Sequence, residues 1–162
     1  MSEFGSQAPP TGQQQPYPGS AGEVAYAGRG SGPRAGFWRR FGAYFIDNLI
    51  LVVVYWLLVA LIDSTLAYVI YLVADFTYFT VLEGGPTGQT LGKRALGIRV
   101  IDFRAGGPIG YGRGFVRQIG KLLSGIVLVI GYLWMLWDKE KQTWHDKIAT
   151  TVVVPVDAYP AR

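Results

Sequence analysis

The sequence predicts an all-α membrane protein: a two-helix transmembrane hairpin, a third apolar helix that is either short or re-entrant, and a small cytoplasmic loop module with room for a short β-pair. Three observations predict it. Half of the 162 residues are apolar and only 16% are charged, against about a quarter charged in ordinary soluble domains. From Phe41 to Leu82 there is no Lys or Arg, and only Asp47, Asp63 and Asp75 carry charge. The 15 Lys and Arg residues therefore all lie outside that stretch, as they do on the flanks of membrane spans.

Residues 1–35 are rich in Gln, Pro, Gly and Tyr and contain no apolar run able to offset the entropy of ordering, so a disordered, water-exposed tail is expected. The segment lacks the basic start and apolar stretch of a secretory signal. Residues 36–156 form the membrane domain, followed by a short tail at 157–162. The first span covers about 41–62, and roughly 20 apolar residues at 1.5 Å each match the hydrocarbon layer. Asp63, Ser64 and Thr65 make a turn into the second span, about 66–82, and so short a connection forces an antiparallel hairpin.

Residues 83–118 read as a Gly-rich, basic loop. Within it LGIRVID has the β-branched alternation of a short strand, as does TTVVVP at 150–155. The third apolar segment, about 120–137, offers 16 uncharged residues between Lys121 and Asp138, with Gly125 and Gly131 inside. It is either a short span with Lys121 snorkelling or a re-entrant hairpin packed on protein.

Charge sets the orientation. Arg29, Arg34, Arg39 and Arg40 precede the first span; Lys93, Arg94, Arg99, Arg104, Arg113, Arg117 and Lys121 follow the second; the connection between spans has none. The positive-inside rule puts the N-terminus and the long loop in the cytoplasm of a plasma-membrane, multi-pass protein. If TTVVVP pairs with LGIRVID, the C-terminus lies on that same side and the third segment folds back.

Several chemistries are excluded. Without cysteine there is no disulfide, thiolate metal site or cysteine nucleophile. The basic residues flank apolar segments instead of forming a free basic module, which argues against nucleic acid. GPTGQTLGKR misses the phosphate-loop spacing, with Thr87 at the first glycine position and Arg94 at the hydroxyl position. His145 is the single histidine, so no metal cage is expected, and no catalytic serine context exists. His145 and Asp146 are instead expected to cap or tether the C-terminal segment to the basic loop, with Lys93, Arg94 or Arg99 as partners. No cofactor and no enzymatic activity are expected. Trp38, Tyr44, Trp134, Trp137 and Trp144 sit near span ends and read as interfacial anchors of a chain whose first partner is the lipid bilayer.

Asp47 is the residue that demands an explanation, since a carboxylate facing lipid there costs about 2.5–3.5 kcal/mol. Arg40 lies seven residues earlier, within about 20° on the same helix face, and can approach it directly or through water. Asp75, in the middle of the second span, lies at a similar depth, so Asp47 and Asp75 could share a proton or hold a cation between them.

WRRFGAYFID, GQTLGKRALGIRVID and KQTWHDKIATTVVV, in that order, resemble the motifs of the RDD family of bacterial membrane proteins over about Gly36–Pro155. The resemblance implies that Arg40, Asp47 and Asp146 are the arginine and two aspartates for which the family is named. It implies that Gly88, Gln89, Thr90, Gly92, Lys93, Arg94, Gly97 and Arg99 form its signature loop. Sodium/proton antiport has been proposed for at least one relative, while Asp75 is not part of the triad. Two functional expectations follow. One is exchange of Na+ or H+ with Asp47 as the ion site and Arg40 tuning it; the other is a non-enzymatic scaffold or accessory subunit in which Arg40, Asp47 and Asp146 are structural ties. Two or three short spans cannot enclose a transport path, so transport would require a homo-oligomer or a larger membrane partner.

Overall fold

The computed structural model describes residues 32–126 and 130–159; residues 1–31 of the predicted N-terminal tail and 160–162 of the C-terminal tail lie outside the described residues, whereas Arg34 and Ala35, expected in the tail, belong to the fold, Ala35 being buried with its N–H donating to the Val153 carbonyl at 3.0 Å. Helix α1 spans Phe37–Leu61 and α2 spans Ser64–Gly84. Their 25 and 21 residues extend about 37 and 31 Å, enough to cross a hydrocarbon layer. The turn between them closes because Asp63 caps α2, its Oδ1 accepting from the backbone N–H groups of Thr65 at 2.8 Å and Leu66 at 3.2 Å.

The hairpin has the burial pattern of a lipid-solvated body. Only Ala43, Asp47 and Leu51 are buried on α1, whereas Phe41, Phe45, Leu49, Val53, Trp56 and Leu57 are exposed. On α2 the buried residues are Ala67, Phe79, Glu83 and Gly84. Water would not tolerate so much contiguous exposed apolar surface, and lipid requires it.

After α2, Thr90 caps the short helix α3 (Leu91–Ala95), its hydroxyl accepting from Lys93 N at 3.3 Å. Strand β1 (Ile98–Asp102) then pairs antiparallel with β2 (Thr151–Pro155), with Val100 opposite Val153, so the expected β-pair is present. Its core joins Ile98, Val100 and Val153 to Ala35 and Ala43 at the start of α1. Gly88 fits beneath β1 in the left-handed region at φ 63°, where a Cβ would stand 2.1 Å from the Val100 carbonyl oxygen.

The segment 83–118 is not a loop throughout, which corrects the sequence reading. Helix α4 begins at Gly110 and runs to Ile126, and α5 (Ile130–Leu133) follows, continuing into a 3-10 turn at Trp134–Leu136. The helical signal is inverted relative to a soluble helix. Gly114, Arg117, Gln118, Gly120, Lys121 and Ser124 are buried, while Tyr111, Phe115, Val116, Ile119, Leu122 and Leu123 are exposed. These are two faces at helical spacing, with the polar one turned inward. The two arms of the third apolar segment meet at 116°. Because β1 and β2 pair, the chain between them starts and finishes at the same end of the hairpin, as a re-entrant path requires. Gly131 permits the fold-back, since a Cβ there would lie 2.6 Å from the Ser124 side chain. Lys121 does not snorkel outward: its side chain is 9% exposed and turns inward to Glu83.

The last helix, α6 (Trp144–Ile148), is held by a capping box in which Thr143 Oγ1 accepts from Asp146 N and Asp146 accepts from Thr143 N. It lies against α4, with His145 so close to Gly120 that a Cβ there would approach its Cβ to 2.8 Å.

Candidate functional site: a carboxylate knot beside a buried charge network

Asp47 is fully buried and its carboxylate is filled by three donors. Oδ1 accepts from Tyr78 Oη and from Gly92 N, both at 2.7 Å, and Oδ2 accepts from Thr90 Oγ1 at 2.6 Å. None of the three donors is charged. The GQTLG turn of the signature loop thus wraps the aspartate of α1, and Thr90 and Gly92 are the residues that touch it.

Arg40 does not approach Asp47. Side chains on a helix lean toward its N-terminus, so Arg40 leans away from a residue two turns further on. Its Nη1 donates to Asp146 Oδ2 at 2.5 Å, its Nε to the Ala35 carbonyl at 3.1 Å and its Nη2 to the Lys141 carbonyl at 2.7 Å. The arginine and the second aspartate of the triad are therefore partners across 106 residues. The Asp47–Asp75 pair is also replaced: the described partner of Asp75 is Gln118, whose Nε2 donates at 3.3 Å.

Beside the knot lies a network centred on Glu83 and Arg117, neither of which the sequence marks as a site residue; Lys93, Lys121 and Asp146, expected in other roles, join it. Glu83, 1% exposed, stands one residue before the end of α2. Its Oε1 accepts from Lys93 Nζ at 2.6 Å and Lys121 Nζ at 2.7 Å, and its Oε2 from Arg117 Nε at 2.9 Å. Arg117 Nη1 then reaches Asp146 Oδ1 and Thr151 Oγ1. Asp146 thus binds Arg40 and Arg117, not the expected Lys93, Arg94 or Arg99; Lys93 goes to Glu83, and Arg99 Nη2 donates to the Pro86 carbonyl at 3.2 Å. Of the remaining signature residues, Gln89 braces β1 by donating to the Ile98 carbonyl at 2.9 Å, Gly97 turns at φ 61°, and Arg94 is exposed.

Burial alone would raise the Asp146 carboxyl, but Arg117 and Arg40 hold it well below the usual carboxylate range. His145 behaves oppositely. Burial, with Arg117 and Lys121 nearby, drives its pKa down to about 3, so the folded protein keeps it neutral, with Nε2 2.9 Å from Thr143 Oγ1 and its ring 5.1 Å from that of Tyr132. A histidine with a folded pKa below its unfolded value near 6.5 contributes stability that is complete above that pH and is lost as pH falls toward 3. The thermal midpoint in lipid nanodiscs should therefore drop as pH is lowered from 7.5 to 4.5, by up to about 1.4 kcal/mol of stability per unit. The buried carboxylates Asp146 and Glu83 lose the stabilisation of their ion pairs only as pH falls below about 5, so the contribution of His145 is the part of the drop between about pH 7 and 5. His145 being the single histidine, His145→Gln should flatten that interval; an unchanged slope would refute the assignment.

Charged groups from α1, α2, α3, α4 and α6 thus meet at one end of the hairpin around a cavity of about 400 Å³, which Arg40, Glu83, Lys93, Arg117, Lys121 and His145 help to line. Among the described residues no group of three or more His, Asp or Glu side chains is placed to hold a metal ion.

A helical hairpin, a folded-back amphipathic pair with its polar face inward and a β-clasp over a buried charge network define a membrane protein with an inverted core. The chain belongs to the RDD family, whose profile matches residues 34–150. It is 40% identical over 86 residues to the "Proline-rich antigen" of Mycobacterium leprae, 53% of this chain and 33% of that protein. It is 33% identical over 147 residues to the Bacillus subtilis "Uncharacterized protein YxaI", covering 74% of this chain and 96% of the relative. To the "Uncharacterized membrane protein YteJ" of the same bacterium it is 29% identical over 139 residues, 77% of this chain and 83% of the relative. The chain spans about a third of the length of the mycobacterial relatives it matches. No solved structure matches it.

Proposed function

We propose that this chain is a multi-pass plasma-membrane module with a cytoplasmic N-terminus that acts without enzymatic chemistry, as a scaffold or accessory subunit whose Arg40, Asp47 and Asp146 are structural ties. The observation that carries the reading is the filling of Asp47 by Tyr78, Thr90 and Gly92: an ion taken up there would have to displace donors that hold α3 against α1. Arg40 and Asp146 support it in the same way, since their contact joins the start of α1 to α6. The orientation rests on charge. Arg39 and Arg94 remain exposed at the end of the hairpin that gathers the β-pair, whereas the turn around Asp63 holds no cation.

Asp47→Asn discriminates this reading from exchange of H+ or Na+. Replacing one oxygen by an amide sets a donor against donors and costs about 1–3 kcal/mol. The expected result is reduced abundance in membranes with no change in cation-dependent proton flux per molecule, read with a pH dye in inverted vesicles. A variant of normal abundance that has lost such flux would reverse the conclusion.

A further inference from the structure

The cavity beside Glu83 carries more positive charge and more hydrogen-bond donors than the protein satisfies. Arg40, Lys93, Arg117 and Lys121 line it with side chains that are only 11%, 10%, 2% and 9% exposed. Among the described residues, the carboxylates bonded to these cations are Glu83 and Asp146 alone. Four cations against two carboxylates leave an excess of two positive charges in a place where unpaired charge is costly. Asp75 bonds Gln118 instead, and Asp47 is held by Tyr78, Thr90 and Gly92.

The donor count points the same way. Lys93 and Lys121 share a single oxygen, Glu83 Oε1, so each ammonium uses one of its three N–H bonds among the described contacts. Arg117 Nη2 has no described acceptor, its Nε and Nη1 being the groups that bond Glu83, Asp146 and Thr151. His145 is 5% exposed, and its Nδ1 has no described hydrogen-bond partner. If the Thr143 hydroxyl, which accepts from Asp146 N, gives its proton toward His145 Nε2, the neutral ring carries its own proton on Nδ1 as a fourth unused donor. The side chains that carry these spare donors come from α3, α4 and α6 and line one space, an arrangement that suits tetrahedral oxygens better than the two coplanar oxygens of a carboxylate.

Apart from Thr143, the rest of the lining is aromatic, aliphatic or glycine. Phe79 forms one wall, with Lys121 Nζ 4.2 Å from its ring centroid, and Phe37, Tyr132, Leu133 and Met135 complete it. Phe41, Tyr44 and Gly125 are exposed at the rim, on helices whose outward faces are apolar. A space of about 400 Å³ exceeds a bare oxyanion and falls in the size class of organic ligands. The geometry points to this cavity as a binding site for a phosphate anion borne on a larger, partly apolar molecule. Two sources share that chemistry, the headgroup of an anionic phospholipid and a water-borne organic phosphate.

Full-length protein in phosphatidylcholine nanodiscs distinguishes them. One arm adds phosphatidylglycerol to the disc; the other adds glycerol 3-phosphate or inorganic phosphate to the buffer. Bound ligand is read by native mass spectrometry and by the shift in unfolding temperature. The expected result is retained phosphatidylglycerol, with affinity at least about tenfold weaker in Lys93→Gln. Tighter binding of glycerol 3-phosphate would assign the water-borne source. Gly125→Trp keeps the test decisive if Lys93→Gln fails to fold, because a Cβ at Gly125 meets no atom within 4 Å and the network is untouched. It should leave the unfolding temperature in pure phosphatidylcholine unchanged while blocking the rim and lowering retention at least about tenfold. Retention equal to wild type in a folded Gly125→Trp, or no binding of any of the three phosphates, overturns the proposal.

Discussion

Glu83→Gln is expected to abolish accumulation of the folded protein in the membrane. The substitution keeps the shape of the side chain and removes only its charge, yet Lys93, Lys121 and Arg117 all converge on that charge from inside the protein. Removing one partner of a buried ion pair costs about 3–5 kcal/mol, because the survivor is left desolvated and unpaired. Here three survivors are left, and the whole stability of a domain is about 5–15 kcal/mol. Glu140→Gln is the control: Glu140 bonds Arg34 at 2.8 Å with its side chain 21% exposed, and a pair so near the surface is worth no more than about 1 kcal/mol. Membrane abundance and thermal unfolding of the two variants should separate clearly. Lys121→Met in the Glu83→Gln background should recover part of the loss by removing one stranded cation, a coupling that a double-mutant cycle measures. Equal behaviour of Glu83→Gln and Glu140→Gln would show that the network does not hold the fold together.

The sequence displays the hairpin because two apolar stretches separated by three residues leave the chain no other arrangement, and the observed ends, Leu61 and Ser64, fall at that turn. The β-pair was legible for a related reason, since IRVID and TVVVP are β-branched runs in a chain otherwise suited to helix. The charge network is far less legible. Glu83 sits where a span gives way to glycines and passes for the first residue of a loop, and its importance depends on Lys93, Arg117 and Lys121, up to 38 residues away. One signal lay within reach: Gly114, Arg117, Gln118, Lys121 and Ser124 recur at helical spacing, with Phe115, Ile119 and Leu122 between them. Read as an amphipathic helix whose polar face looks inward, that pattern would have moved the start of α4 back to Gly110. Arg40 and Asp47 show the converse limit. A spacing of seven residues puts the two on one helix face, but the lean of helical side chains and a partner 106 residues distant decide where the arginine goes.

Gly92→Ala is the second change expected to be severe, and it adds only a methyl group. A Cβ at Gly92 would stand 2.0 Å from the Ala43 carbonyl oxygen, 2.9 Å from its carbon and 3.0 Å from Asp47 Cγ. Two of those atoms are backbone of α1, so no side-chain rotation relieves the overlap and α3 must lift away. Lifting α3 stretches the bonds from Gly92 N and Thr90 Oγ1 to Asp47, at present 2.7 and 2.6 Å, and strands a carboxylate within the protein. Overpacking contributes about 1–3 kcal/mol and an unsatisfied buried carboxylate about as much again or more. Gly112→Ala provides the contrast: it lies in α4 with nothing within 4 Å of its Cβ, and helix propensity there favours alanine by about 0.8–1.0 kcal/mol. Unfolding temperatures in nanodiscs should move in opposite directions for the two variants. The cause of the Gly92→Ala loss is then testable by adding Asp47→Asn. If α3 is what satisfies the carboxylate, the second substitution costs far less in the Gly92→Ala background than alone, because the lifted helix has already withdrawn its donors; full additivity would mean that Gly92 serves packing only.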